Sequence, residues 1–142
     1  MTESNALEIN LMIREDKFNR MLLAVFGNKT TITDIDFVFD HNGRRFAIET
    51  KEVDMNKAYW EIEESQLIIM KAIDNIFPTY YVFHDKDLEK FHIIRASRID
   101  NILNRVTYKN GKALSVIKVY PSMTTSRTKE QFFDFCKTLM RL

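Results

Sequence analysis

The sequence predicts an α/β fold with its core elements in the order α-β-β-α-β. Three observations carry this. Residues 31–40 and 44–52 alternate as strands on either side of a turn containing Asn42-Gly43. Apolar residues recur at helical spacing before them, over 5–26, and after them, over about 56–77. Thr79-Tyr80-Tyr81-Val82-Phe83 is then a short run of β-favouring residues suited to a buried strand.

The elements follow in order. Over 5–26 the stripe is Leu7, Leu11, Phe18, Leu22 and Val25, and Gly27-Asn28 ends the helix. Thr30 to Ile32 is a candidate short strand. In the next strand Asp34, Asp36 and Val38 share one face and Ile35, Phe37 and Phe39 the other, because successive side chains point to opposite sides. In its partner Ala47, Glu49 and Lys51 share a face against Phe46, Ile48 and Thr50. Asp54 is placed to cap the second helix, whose apolar face is Tyr59, Ile62, Ile69, Ile73 and Ile76, with Pro78 at the exit. A return strand is expected around Phe91 to Ile94 and a short helix about 98–105. A hairpin turns at Asn110-Gly111, with Val116 to Tyr120 as its second strand and Pro121 as its stop. Thr128 to Arg141 reads as a last amphipathic helix with Phe132, Phe135, Cys136 and Leu139 inward.

A chain of 142 residues fits one domain with one core. The expected layout is a core over about 5–84 and a basic α/β extension over about 90–142. The composition, 45% hydrophobic and 29% charged, is that of a soluble globular protein. No apolar run approaches membrane-spanning length, and residues 1–5 lack the pattern of a signal peptide. The expectation is a cytoplasmic protein without a membrane partner. A single cysteine, Cys136, excludes an internal disulfide and a cysteine-based zinc site. Net charge is +1, but residues 1–94 carry −6 and residues 95–142 carry +7. An acidic half that holds cations beside a basic half that holds phosphates suits nucleic acid. Arg95, Arg98, Arg105, Lys109 and Lys112 are the expected phosphate contacts.

If the two strands pair through the Asn42-Gly43 turn, Asp36 and Glu49 bring two carboxylates beside Lys51. Two oxygen ligands for a hard divalent cation and one ammonium make a workable phosphodiester-cleaving centre. Asp34 shares the face of Asp36 and is an alternative or second ligand. Gln66 falls within the apolar face of the second helix, where its amide needs partners that the lysine, a water or a phosphate would supply. Glu8 and Glu15 flank the first helix stripe, and Glu8 is the preferred further carboxylate. Tyr59 or Trp60 could stack on an unpaired base. His41, His84 and His92 lack metal-ligand spacing and are assigned no role.

Asp36, followed on the next strand by Glu49-Thr50-Lys51, resembles the PD-(D/E)XK nuclease superfamily, whose restriction-endonuclease-like fold implies a central mixed sheet flanked by helices. Glu8 matches that family's helical Glu and Gln66 its helical Gln. The resemblance covers roughly residues 5–84. It departs from the pattern in having Ile35 before Asp36 and Thr33 before Asp34, where the family has Pro. The resemblance implies a Mg²⁺-dependent DNA endonuclease, with Mn²⁺ as a substitute, similar to Holliday-junction resolvases and compact phage nucleases that often act as homodimers. The implied catalytic residues are Asp36, Glu49, Lys51 and Gln66, with Asp36 and Glu49 on the metal. An RNase or single-strand nuclease on the same centre is the alternative within enzymes. A non-catalytic nucleic-acid-binding or partner-binding module with this fold is the alternative outside them.

Overall fold

The structure, a computed structural model, describes residues 35–100 and 103–141. The expected helix over 5–26, the candidate strand Thr30 to Ile32, Glu8, Glu15 and Asp34 lie outside the described residues. What is described is α/β, with a mixed five-stranded sheet, a second sheet of three strands and two helices.

Strands β1 (Phe37–His41) and β2 (Arg44–Glu52) form an antiparallel hairpin in which Val38 pairs with Ala47 and Phe37 with Ile48. Asn42 and Gly43 both have positive φ, 53° and 80°. A two-residue hairpin loop of this hand matches the twist of the strands it joins, and Asn-Gly tolerates it at low cost. Asn110-Gly111 repeats the device, with φ of 51° and 77°, between β6 (Leu103–Lys109) and β7 (Lys112–Val119). That second strand therefore begins four residues before the expected Val116 and ends at Val119.

The span 56–77 does not form one helix. Residues 60–63 are strand β3 (Trp60–Glu63), paired antiparallel with β7, and helix α1 covers only Glu64–Asp74. Trp60 and Ile62 are buried while Glu61 and Glu63 point away, so the local period is two. Tyr59 and Ile62 fit a helical stripe equally well, and pairing with β7 decides between the two. Asp54 caps no helix; its carboxylate accepts from the Asn56 amide and its carbonyl from the Trp60 indole. The buried face of α1 is Leu67, Met70 and Asp74, and Ile76 lies beyond the helix, exposed.

Strand β4 (Thr79–His84) runs parallel to β2, so the chain crosses between them through β3 and α1. Strand β5 (Lys90–Arg95) returns antiparallel, as expected. A 3₁₀ turn at Ala96–Arg98 and the start of β6 stand where a helix about 98–105 was expected. Strand β8 (Thr125–Thr128), not foreseen in the sequence, pairs with β5 and precedes helix α2 (Lys129–Arg141). The central sheet has the order β1-β2-β4-β5-β8, and the second sheet β3-β7-β6. The basic segment is therefore no appendage, because it supplies two of the five central strands.

Each face of the central sheet is covered differently. On one face Tyr81, Phe83 and Ile94 pack with Leu67 and Met70 of α1 and with Trp60, Ile62, Ile117 and Val119 of the second sheet. On the other, Phe46, Ile48, Val82, Phe91 and Ile93 meet Phe132, Phe135, Cys136 and Leu139 of α2. At ~25 cal/mol per Å² of apolar surface removed from water, these clusters dominate the stability of the fold. Ile35 packs against the first cluster, whereas Phe39 packs against the second. The expected alternation of Ile35, Phe37 and Phe39 on one face thus breaks at Asp36, where the chain bends into β1.

A buried carboxylate between a lysine and a glutamine

The face of the sheet toward α1 carries Ala47, Glu49 and Lys51 of β2, as expected from the pleat. Glu49 is 4% exposed, an unusual depth for a carboxylate. Its Oε2 accepts from Gln66 Nε2 at 3.1 Å and lies 3.8 Å from Lys51 Nζ, while its Oε1 accepts from the Asp36 amide at 3.2 Å. The structure thus brings together all four expected catalytic residues within the described residues.

Gln66 is held by a partner the sequence reading did not name. Tyr81 donates its hydroxyl to Gln66 Oε1 at 3.0 Å. This orients the Gln66 amide with its NH₂ toward Glu49. Tyr81 is the parallel neighbour of Glu49 in register, and its side chain is fully buried. A signal for it existed: in a run that is otherwise buried and largely apolar, a tyrosine hydroxyl requires a partner.

The Asp36 carboxylate does not meet Glu49 head-on. Its Oδ2 accepts from the Thr50 amide at 2.9 Å and the Thr50 hydroxyl at 2.8 Å. Among the described residues Oδ1 has no hydrogen bond. The bend at Asp36 causes this arrangement. The residue lies just outside the ladder, so its side chain reaches back along β2 and its amide is free to serve Glu49. Thr50 is a second residue the sequence reading passed over.

Burial pushes the Glu49 pKa up to about 7, and the negative charge of Asp36 adds to the rise. Lys51 and the hydrogen bonds from the Asp36 amide and Gln66 only partly oppose it. Burial also raises the Tyr81 pKa, with the charges of Glu49 and Glu63 adding to it, so the phenol stays a donor. A carboxylate poised near neutrality by desolvation and a like charge is characteristic of functional sites.

No group of three or more His, Cys, Asp or Glu side chains gathers among the described residues. The two carboxylates near one another, those of Asp36 and Glu49, are oxygen donors of the kind Mg²⁺ prefers, and Asp36 Oδ1 is the oxygen left without a hydrogen bond among the described residues.

The expected phosphate contacts are dispersed. Arg95 Nε bonds Asp74 Oδ1 at 2.8 Å, and the same buried carboxylate accepts from the amides of Thr79 and Ser97. Burial opposes ionisation of Asp74, but these bonds, the one from Arg95 foremost, outweigh it and leave its pKa below the ordinary value. Arg105 makes two bonds of 2.8 Å to Glu61 across the second sheet. Arg98 is exposed beyond β5, and Lys109 and Lys112 are exposed at the tip of the β6–β7 hairpin. Trp60 offers no stacking surface, being stacked on Phe83 at 4.9 Å in the core. Tyr59 is half-buried, with Lys118 Nζ 4.2 Å from its ring centre. Among the described residues no helix is long and apolar enough to cross a membrane. No family model matches this sequence, and no curated protein is significantly similar to it.

Proposed function

We propose that the chain is a metal-dependent DNA nuclease on a restriction-endonuclease-like core, with its centre at Asp36, Glu49, Lys51 and Gln66. The observation that carries this is the buried Glu49 carboxylate, held between Lys51 and Gln66 with Asp36 beside it. Asp36 and Glu49 would hold Mg²⁺ or Mn²⁺. Bound there, the ion would lower the pKa of an attacking water and offset charge on the scissile phosphate.

The protein's own groups have separate tasks. The Lys51 ammonium, half-exposed beside Glu49, would sit near the attacking water or a non-bridging phosphate oxygen and offset the negative charge of the pentacovalent transition state. Gln66, fixed by Tyr81, keeps Glu49 Oε2 from rotating away. Thr50 does the same for Asp36, leaving Oδ1 for the ion. Arg98, Lys109 and Lys112 are the remaining candidates for the DNA backbone, since Arg95 and Arg105 are already in ion pairs. Asp34 and Glu8 are candidate further ligands outside the described residues, and pairing of two copies would address two strands.

The test is incubation with linear, nicked, single-stranded and four-way-junction DNA and with RNA, with Mg²⁺ and with EDTA. Mg²⁺-dependent DNA cleavage that disappears in Asp36→Ala supports the reading. Calorimetry with Mn²⁺ should show weak binding that the Asp36→Ala, Glu49→Ala double variant loses. A protein inert on the whole panel, binding Mn²⁺ no differently in the double variant, overturns it.

A further inference from the structure

We propose a second binding site, on the face of the central sheet opposite Glu49, that takes the phosphate group of a nucleotide through Arg98 and Arg127. A cavity of about 240 Å³ opens between β5, the 3₁₀ turn, β8 and α2, bordered by Tyr80, Arg95, Arg98, Thr125, Arg127 and Phe135. Strand register separates it from the candidate catalytic centre. Tyr80 pairs with Arg95 and Phe91 with Arg127, while Glu49 pairs with Tyr81, one residue out of phase.

Arg127 is the informative residue. Its guanidinium carbon lies over the Phe135 ring, 4.9 Å from its centre, in reach of a cation–π attraction. Its Nε is buried and has no hydrogen-bond partner. A buried guanidinium N–H left without an acceptor is costly, and an acceptor entering the cavity removes the cost. Among the described residues neither Arg127 nor Arg98 has an ion-pair partner, and no carboxylate borders the cavity. Arg95 adds a third guanidinium, its Nε already committed to Asp74. The two guanidiniums that border the cavity without a counter-charge, those of Arg98 and Arg127, match a phosphate, whose oxygens accept from such forks.

The size argues for what the phosphate is attached to. The cavity is small for a whole ligand by the usual range of pockets. Tyr80 and Arg95 also border an adjoining groove of about 650 Å³, whose walls include Arg44, Phe46, Phe77 and Leu139. A phosphate in the smaller space leaves its sugar and base over a mostly apolar wall in the larger one.

The site does not depend on the nuclease reading, and its test runs without divalent cation. Arginine Nε–H resonances of the protein are followed by NMR during titration with inorganic phosphate, a nucleoside 5′-monophosphate, the unphosphorylated nucleoside and chloride at matched ionic strength. The Arg127 Nε–H signal should move saturably with phosphate and more tightly with the monophosphate, and not with nucleoside or chloride. Arg127→Lys keeps the charge but loses Nε, and should weaken monophosphate binding about tenfold. Equal shifts with chloride, or no saturable shift, overturn the site. Inorganic phosphate binding as tightly as the monophosphate overturns the nucleotide assignment. The wild-type titration decides these even if the variant folds poorly.

Discussion

Tyr81 and Glu49 lie side by side on parallel strands yet communicate through a residue of a third element, the Gln66 amide of α1. Tyr81→Phe removes only the hydroxyl that fixes this amide. It should cost about 1 kcal/mol, the scale for losing one hydrogen bond at a part-buried site, and lower the cleavage rate through a looser Glu49. Thermal denaturation and Mg²⁺-dependent cleavage, measured together, check it. Unchanged values in both would mean the amide needs no such support.

Glu49 gives a pH signature with a definite sign. Its folded pKa, about 7, lies above the ordinary 4.5, so the folded protein holds a proton that the unfolded chain has released. That contribution to stability is full below pH 4.5 and lost as pH rises through 7. The difference corresponds to on the order of 3 kcal/mol in the cation-free protein. Compared with Glu49→Gln, the wild type should lose melting temperature between pH 4.5 and 8, and Mn²⁺ should restore part of it at pH 8. Parallel pH profiles would place Glu49 in water.

Lys51→Ala separates catalysis from folding. Because the ammonium is half-exposed and 3.8 Å from Glu49, its removal should change the melting temperature little. The cleavage rate should fall about 10²-fold or more, the scale for one preorganised charge-stabilising group. The Glu49 transition should also move to higher pH, since Lys51 opposes the rise. Wild-type cleavage by Lys51→Ala would remove the nuclease assignment.

Two ion pairs of equal length should differ widely in worth. Asp74→Ala strands the amides of Thr79 and Ser97 and the Arg95 guanidinium around a buried hole, and should cost ~3 kcal/mol or more. Arg105→Ala breaks only the exposed pair with Glu61 and should cost under ~1 kcal/mol. Urea denaturation of the two variants checks the ranking.

What the sequence made legible was local. Strand alternation and two Asn-Gly turns are short-range signals, so β1, β2, the β6–β7 hairpin and the shared face of Glu49 and Lys51 could be read directly. Gln66 was legible because a polar residue on an apolar helix face has to be satisfied. The errors arose where partners are distant. Trp60 to Glu63 became a strand because β7, far along the chain, pairs with it. Thr125 to Thr128 has no apolar alternation and is a strand through its pairing with β5. Arg95 looked like a surface cation, and only the fold brings Asp74 to it.

The parallel pairing of β2 with β4 has a kinetic consequence. The two hairpins, each closed by two residues, can form in microseconds from neighbouring chain. The β2–β4 ladder cannot, because β3 and α1 must first be laid across the sheet, and β3 in turn waits for β7. Loop closure of that span slows such contacts. Glu49 sits on one side of this ladder and Tyr81 on the other, with Gln66 on the crossover itself. The arrangement around Glu49 is therefore completed at the slow end of folding, after both hairpins have closed.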